Sequence, residues 1–600
     1  MKIQKQIYYF VLISFSILIA NYVWPLINLS SNKDIIGIYS QNNHSSLNDI
    51  LRYLSFVLIP VIIYFFSKMF FEKKTFFVFL SNFKVKKITY HQDKTIYIFL
   101  IILVIFLILE FLSLNFPLNK IDIFHDGQRL SSAFKSKIDG SFWSGSYVSV
   151  GIVYETIGTK FSWKLFQNET IGSMKVLDLL YILITKILLV FLAFEITKYI
   201  QLNYHYKILY FLLTSFFLYS LIDYNLNSID VILFREIPII LSLILFIKTY
   251  DSESILNYIF IAILSVLTFF WSVDRALVLS LFILFIIFIQ IYNKRYKQFF
   301  VTTLSIVILW ILFFLFFNHE FNFFLSNTLS IINEHSYVNG IIHPQPFSEE
   351  KNSARATKNL LVIIFALIIS LSLFFKKDDI YSHKLKIIFF TISIFCFLSY
   401  VYALGRSDGA HIKQAFAFPA IFLIFYFLFI FIYFISNSKY NFFKDKKILI
   451  LILPTLIYLF FNMSIDFKNI NNFKVRLNKY VSLDDSNFIS DDDNLFVQTV
   501  SNLVKKEKCI QLFTNDAALL YLLKKPSCTK FYFVYSLGSI SNQKIMINEM
   551  KNTNLVITNG KTDNWDIPVK VKHPLVYDYI ENSYLDYKKI GQRQIKLKKN

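Results

Sequence analysis

Residues 95–129 read TIYIFLIILVIFLILEFLSLNFPLNKIDIFHDGQR, an apolar run followed closely by clustered polar side chains. The run at 95–115 is long enough to cross the ~30 Å hydrocarbon core of a bilayer as a helix. The stretch at 121–129 then places a carboxylate, an imidazole and a guanidinium next to one another. Because charges at span ends are costly unless they pair or line a wet cavity, this pattern indicates a functional loop at a membrane surface.

The composition of the chain is that of a polytopic membrane protein. Hydrophobic residues make up 55% of its 600 residues and its mean hydropathy is +0.51, which is too apolar for a soluble protein. Apolar runs of spanning length predict about thirteen transmembrane helices. These runs lie at 7–28, 52–71, 95–115, 175–198, 206–222, 229–248, 255–270, 276–292, 299–317, 358–375, 386–404, 411–435 and 447–463.

The formal net charge of +21 comes from short clusters of Lys and Arg between the apolar runs. Basic loops are retained on the cytoplasmic side, so these clusters predict the topology. Nucleic-acid binding accounts less well for the charge. We expect a multi-pass protein of the plasma (inner) membrane, with large outer loops at 116–174 and 318–357. Most unusual polar residues near span ends then lie on the outer face.

The chain divides into a transmembrane domain, 1–464, and a tail of soluble-like composition, 465–600. The predicted topology places this tail on the extracytoplasmic side of the membrane. In the tail, CIQLFT, NDAALLYLLKK, TKFYFVY, SNQKIMINEM and NLVITNG alternate between strand and helix patterns. This alternation predicts a small α/β domain. Cys509 and Cys528 can form a disulfide if the tail faces an oxidising compartment.

The first outer loop holds the main candidate for catalysis. Asp126 lies between His125 and Gly127, and a carboxylate there can accept the proton of an incoming hydroxyl as a general base. The other interpretation is a helix cap for GQRLSSAF, and one residue can fill both roles. His125 and Arg129 are candidates for substrate binding.

The segment GRSDGAHIKQ, residues 405–414, opens a span from the outer side. Its charged and imidazole side chains suit a phosphate or pyrophosphate, with Arg binding as a planar fork and Lys as a point charge. The alternative is an interfacial cap with snorkelling side chains. The candidate binding residues are Arg406, Asp408, His411 and Lys413.

The segment FWSVDRA places Asp274 and Arg275 in a tight turn between two spans. These two residues either bind a ligand or pair with neighbours to lower the cost of burial. Arg235 and Glu236 are a similar pair. His343 lies in a proline-containing loop, where a lone histidine is ordinarily unremarkable.

The sequence has no glycine-rich nucleotide loop, no Walker pattern and no Cys/His set with metal-ligand spacing. It therefore predicts no cofactor, and it does not support a divalent metal site. A sugar transferase acting on the outer face has no access to cytosolic sugar nucleotides. Its donor is therefore expected to be a lipid-linked sugar.

Several of these features together resemble the GT-C superfamily of integral-membrane glycosyltransferases, which use polyprenyl-phosphate-linked sugars. They are the many spans, an acidic residue in the first large outer loop and a soluble domain after the last span. The motifs HDGQ, GSFW, LFQNETIGSMKVLD, GRSDGAHI and FTNDAALLYLLKKPSCTKFYF look like those of a bacterial group within that superfamily.

The resemblance implies an inverting transfer with Asp126 as the base and with Arg406 or Lys413 at the lipid phosphate. The acceptor is a glycan, a lipid or a protein, and the surrounding membrane lipid is the other partner. Members of the superfamily often carry a pair of acidic residues in this loop. Here the neighbour of Asp126 is His125, which favours a mechanism without metal.

Two other functions remain open at this point. An O-antigen polymerase or ligase has a similar number of spans, but its large loop comes late in the chain, where 318–357 is the candidate. A polytopic lipid or solute transporter places its polar residues near the middle of the membrane. Here they lie at span ends, which favours chemistry at the surface.

Overall fold

The computed structural model of the chain describes residues 2–31, 44–72, 83–84, 94–224, 234–250, 254–339, 341–375, 381–437, 454, 465–560 and 568–599. Helices account for most of the chain up to residue 437. In order they are α1 (Lys2–Val23), α2 (Ser46–Glu72), α3 (Lys94–Ser113), α4 (His125–Asp139), α5 (Gly158–Phe166), α6 (Ile171–Thr197), α7 (Tyr204–Tyr219), α8 (Ile237–Thr249), α9 (Ile255–Trp271), α10 (Val273–Tyr292), α11 (Tyr296–Phe316), α12 (Asn318–Asn339), α13 (Ser353–Phe375), α14 (His383–Ser399), α15 (Val401–Gly405), α16 (Gly409–Gln414) and α17 (Ala417–Ser436).

The prediction of a polytopic helical membrane protein is confirmed. In the described part of the chain, nine helices are long and apolar enough to cross a membrane. Two further apolar helices, α8 and α9, have 13 and 17 residues, which is short for a perpendicular crossing. Each of the first twelve predicted spans coincides with helical structure. The last, 447–463, lies almost entirely outside the described residues.

The two predicted large loops contain regular structure. Two helices occupy part of 116–174: α4, which buries one face, and the short α5. The region 318–357 is not a plain loop, because the 22-residue helix α12 fills its first half. The mixed polar and apolar sequence of α12 distinguishes it from the spans on either side, so a hydropathy profile assigns it to a loop.

The tail is a small α/β unit, as predicted. Its elements are α18 (Phe467–Asn471), α19 (Phe473–Val481), α20 (Asp491–Val504), β1 (Gln511–Phe513), α21 (Ala518–Leu522), α22 (Ile540–Glu549), β2 (Leu555–Thr558), α23 (Val569–Lys572), α24 (Pro574–Ser583), β3 (Tyr584–Ile590) and β4 (Arg593–Lys598). The sheet order is β1-β2-β4-β3, with β1 and β2 parallel and the other pairs antiparallel. A disulfide joins Cys509 to Cys528.

One predicted strand of the tail is wrong, and one hairpin was missed. TKFYFVY does not join the sheet, because its backbone carbonyls accept hydrogen bonds from elsewhere. The side-chain amide of Gln511 donates to the Phe531 carbonyl, and the backbone amide of Tyr147 donates to the Lys530 carbonyl. The hairpin of β3 and β4 turns at Gly591, whose φ of +58° suits glycine. Its strands are rich in lysine, which hides the strand pattern.

The tail docks directly on the first large loop. Ala518 donates its backbone amide to the carbonyl of Ile123 at 3.0 Å, and the Ser131 hydroxyl donates to the carbonyl of Ala517 at 2.6 Å. Gly127 faces the same turn of α21, where a Cβ atom would overlap the backbone nitrogen of Ala518. The contact between α4 and the tail therefore requires a residue without a side chain at position 127.

Gly127→Ala tests this contact. The added methyl group meets backbone that cannot move aside, so we expect a loss of about 1–3 kcal/mol from overpacking and a loosened tail. Limited trypsin digestion of the protein in detergent is expected to release the tail faster. Gly140→Ala, at the other end of α4, is the control, because its Cβ meets no atom within 4 Å and adds only left-handed backbone strain. Equal digestion of the two variants would contradict the docking.

Candidate functional site

A cavity of about 280 Å³ lies between the first loop, the helices α10, α12 and α15, and the tail. Its walls come from stretches far apart in the sequence. Five of the nine predicted site residues line it: His125, Asp274, Arg275, Arg406 and His411. The structure thus brings the three motifs singled out in the sequence to one place.

One wall of the cavity is apolar and exposed. Leu277 and Leu281 lie one turn apart on the span α10 and are 40% and 52% exposed. Ile332 and Val401 continue this wall from α12 and α15 and are also exposed. Exposed leucines on a membrane span face lipid, so the apolar side of the cavity is open to the bilayer.

Arg275 is held in the opposite, polar wall by two carboxylates. Its Nε lies 2.7 Å from Glu236 Oε1, and its Nη1 lies 2.6 Å from Asp274 Oδ2. The guanidinium also stacks over the Tyr402 ring at 4.4 Å. Pairing with two carboxylates lowers the cost of burying this cation, as the sequence allowed, and leaves the group without excess positive charge.

Arg235 is the cation of this wall that is available to a ligand. Within the described residues it forms no ion pair, and its guanidinium lies 5.2 Å from the centre of the Tyr154 ring. It is only half-buried and lines the cavity. It lies one residue before Glu236, the N-cap of α8, and the N-terminus of that helix carries a partial positive charge. An anion in the cavity would complete the pairing of Arg235.

Arg406, Asp408 and His411 form one group, joined by an ion pair and a hydrogen bond. Arg406 Nε lies 2.6 Å from Asp408 Oδ2, and His411 Nδ1 lies 2.8 Å from Asp408 Oδ1. Asp408 also caps α16 by accepting the backbone amides of Ala410 and His411. Burial alone raises the pKa of Asp408, but His411 and Arg406 together hold it well below its usual value. Asp408 therefore stays ionised and orients the other two side chains in the cavity wall.

His125 reaches the cavity from the first loop. Its Nδ1 lies 2.7 Å from Asp122 Oδ2, and the imidazole is 41% exposed. A carboxylate on one ring nitrogen fixes the tautomer and leaves the other nitrogen for a substrate. The spacing Asp-x-x-His is the same as that of Asp408 and His411, so the cavity is lined by two histidines that are each paired with an aspartate.

Asp126 is not among the residues that line the cavity. It lies in the first turn of α4, and its Oδ2 accepts the backbone amide of Asp122 at 3.1 Å. The capping role weighed from the sequence is not found, because the N-cap position is Phe124 and no side chain caps this helix. Burial raises the pKa of Asp126, and the charges of Lys175 and Arg129 offset only part of this rise.

Arg129 lies in the interior, away from the cavity. It is 1% exposed, and its two terminal nitrogens each lie 2.7 Å from an oxygen of Asp178 on α6. Its guanidinium also stacks on the Tyr154 ring at 4.8 Å. This bidentate pair ties α4 to the start of a span, so we interpret Arg129 as a residue that positions the loop.

Two other candidates lie outside the cavity. Lys413 is half-buried on α16 but is not part of the lining. His343 is 1% exposed and its Nε2 lies 2.9 Å from the Tyr400 hydroxyl, so it belongs to the packing between α2 and α15.

Sequence reasoning missed the contribution of the tail. Tyr535 lines the cavity, with its ring 5.9 Å from the Arg406 guanidinium. Its position follows from the docking of the tail on the first loop, which no local pattern reveals. Tyr402 and Gln128 also line the cavity, and each lies within four residues of a motif that the sequence did single out.

Within the described part of the chain, no three His, Cys, Asp or Glu side chains are grouped so as to hold a metal ion. The carboxylates around the cavity are instead engaged by arginine or histidine. The chemistry that this site offers is cationic binding of an anion, next to imidazole and carboxylate groups able to exchange a proton.

Arg129→Ala tests the positioning role. It leaves Asp178 buried without its partner, and we expect a loss of about 3–5 kcal/mol in the free energy of unfolding. The double variant Arg129→Met/Asp178→Leu removes both charges and is expected to recover most of that loss. Thermal unfolding in detergent measures both. An unchanged melting temperature for Arg129→Ala would contradict the assignment.

Comparison with known proteins finds a distant similarity in structure and none in sequence. No family model matches the chain, and no curated protein matches it. Among solved structures, the crystal structure of ArnT from Cupriavidus metallidurans in the apo state is similar over 84% of this chain and 98% of its own. The TM-score is 0.40 and the sequence identity 10%. Values this low assign no function, which has to be argued from the cavity.

Proposed function

We propose that this protein is a membrane glycosyltransferase that takes a sugar from a polyprenyl-phosphate donor and passes it to a glycan, lipid or protein acceptor. The observation that carries the proposal is the composition of one cavity. It joins an arginine without an ion-pair partner in the described residues to an apolar wall exposed on a membrane span. A lipid that bears a phosphate group has these same two parts.

The polar end of the cavity suits the phosphate of the donor. Arg235 supplies an available guanidinium, while Arg275 and Arg406 supply N–H donors whose orientation is fixed by their carboxylate partners. In the transfer step the bond between the sugar and the phosphate breaks, and negative charge grows on the leaving phosphate. Fixed cations around that position stabilise this charge without having to reorganise.

The apolar wall suits the isoprenoid chain. Leu277, Leu281 and Val401 give the chain a path from the bilayer to the polar end without crossing water. Entry from the membrane favours a lipid-linked donor over a soluble one. Polyprenyl phosphate is thus the donor that fits the site best.

In this transfer the oxygen of the acceptor hydroxyl bonds to the sugar carbon that the phosphate leaves, and its proton passes to a carboxylate in the first turn of α4. We assign the role of base to Asp126, because burial raises its pKa and so strengthens it as a proton acceptor. We assign to His125, which lines the cavity, the contact with the acceptor. Catalytic hydrogen bonds often tighten only when substrate is bound, so the present position of Asp126 leaves this role open to it.

The disulfide of the tail supports an extracytoplasmic position for the active face. Cys509 and Cys528 are bonded, and disulfides persist in oxidising compartments such as the periplasm. Because the tail supplies Tyr535 to the cavity, the tail and the cavity share one side of the membrane. We propose the inner (plasma) membrane as the location.

The competing functions are less well supported by the site. A late-loop polymerase or ligase has its functional residues in 318–357, yet His343 is buried against Tyr400. A transporter has its polar site in the middle of the membrane. The cavity instead draws on the first turn of α10 and on the short segment between α15 and α16.

Arg235→Ala tests the phosphate site. The loss of a charge-assisted contact to phosphate is worth about 1.5–3 kcal/mol, so we expect the KM for the lipid-linked donor to rise roughly 10- to 150-fold. Transfer of radiolabelled sugar from a set of polyprenyl-phosphate donors in membranes measures it. Lys413→Ala is the matched control, since Lys413 does not line the cavity. An unchanged KM for Arg235→Ala would overturn the phosphate assignment.

Asp126→Asn tests the base. An asparagine keeps the oxygen that accepts the Asp122 amide but cannot take a proton, so we expect normal expression and a 10²- to 10⁴-fold loss of transfer. The base acts when deprotonated, and its pKa is raised, so transfer by the wild type is expected to fall on acidification at a pH above that of an ordinary aspartate. Full activity of Asp126→Asn together with its loss in His125→Gln would move the role to His125.

A further inference from the structure

A second pocket of about 550 Å³ lies on the first loop, between α4 and α5, apart from the cavity. Three lysines line it, Lys137, Lys160 and Lys164, against one carboxylate, Glu169. The rest of the lining is aromatic and aliphatic, including Phe142 and Phe161. The transfer reaction proposed above uses none of these residues.

The lysines are held in place to different degrees. Lys160 Nζ lies 3.1 Å from the Ser136 hydroxyl and 5.5 Å from the centre of the Phe142 ring, and burial lowers its pKa. Lys137 pairs with Glu169 at 2.5 Å. Lys164 is exposed and has no ion pair or hydrogen bond from its side chain in the described part of the chain. The pocket therefore carries an excess of positive charge.

An apolar stripe runs along α5 beside these lysines. Ile157, Phe161 and Leu165 follow one another at intervals of four residues and are 39%, 54% and 51% exposed. The opposite face of α5, with Ser162 and Trp163, is buried. A helix that buries one face in protein and exposes an apolar stripe flanked by lysines is typical of segments that lie in a membrane interface.

The pocket lies at the level where spans end. The Phe142 ring is 6.3 Å from that of Phe317, the residue directly after α11. The backbone amide of Ser144 donates to Glu320 at 2.9 Å. On its other side, α5 ends at Phe166, shortly before the span α6 begins at Ile171. The ends of membrane spans are ordinarily at the depth of the lipid headgroups.

We propose that this pocket binds the phosphate headgroup of an anionic bilayer phospholipid, with its acyl chains along Ile157, Phe161 and Leu165. The positive charge of the lysines attracts the negatively charged phosphate, and the apolar stripe packs against the acyl chains. This site is distinct from the donor cavity and does not depend on the proposed transfer. A phospholipid bound in this pocket anchors the first loop, which also contains the candidate active-site residues.

The test uses the full-length protein in detergent, with fluorescent phosphatidylglycerol as the probe and phosphatidylcholine as the neutral comparison. One exposed lysine near an anionic lipid surface raises the binding affinity about fivefold. We therefore expect Lys164→Glu to weaken phosphatidylglycerol binding by at least fivefold and to leave phosphatidylcholine binding unchanged. Lys160→Gln/Lys164→Gln is expected to weaken it to a similar extent, because both variants lower the charge of the pocket by two.

The matched control is Lys588→Gln/Lys589→Gln, which removes two exposed lysines from β3 of the tail and is expected to change nothing. Phosphatidylglycerol binding that is equal in the wild type and Lys164→Glu would overturn the proposal. Displacement of the lipid by free glycerol phosphate as readily as by unlabelled phosphatidylglycerol would also overturn it, since the site would then recognise phosphate alone. Folding of each variant is checked by the elution volume of the protein in gel filtration.

Discussion

The close contact between Gly127 and the turn at Ala517 and Ala518 is the constraint on which the site depends. It brings the N-terminus of α4 against the tail with no side chain between them, and the backbone bond from Ala518 to Ile123 fixes the distance. Because His125 is two residues from Gly127, the same contact sets where the imidazole reaches the cavity. Gly127 thus lies in the motif that holds the candidate catalytic residues, but its own role is to allow close packing.

Buried ion pairs then fix the other walls. Arg129 joins the loop to α6 through Asp178, and Arg275 joins α10 to the segment before α8 through Glu236. Separating such a pair would leave a buried charge without its partner, at a high cost in free energy. Each junction is therefore rigid. Arg235 differs, because no carboxylate in the described residues lies within ion-pairing distance of it, although the charge of Asp274 acts on it at longer range. The site is therefore rigid and retains one available cation for an anionic ligand.

The sequence predicted the helical membrane fold, because a helix satisfies its own backbone hydrogen bonds and so suits an apolar run that must cross lipid. It also identified His125, Arg275 and Arg406, since charge at span ends is costly. It could not distinguish a charge that faces the cavity from one that is paired in the interior, as Arg129 is. That difference depends on contacts between α4 and α6. The position of Tyr535 depends on the docking of the tail on the first loop, which is more than half the chain away in sequence.

The most direct measurement is a cryo-electron microscopy structure of the protein with a polyprenyl-phosphate sugar bound. We expect density for the phosphate beside the guanidinium of Arg235, with the isoprenoid chain leaving along Leu277 and Leu281. The sugar is then expected next to His125. Density for the lipid elsewhere, with the cavity filled only by water, would contradict the central claim that this cavity is the donor site.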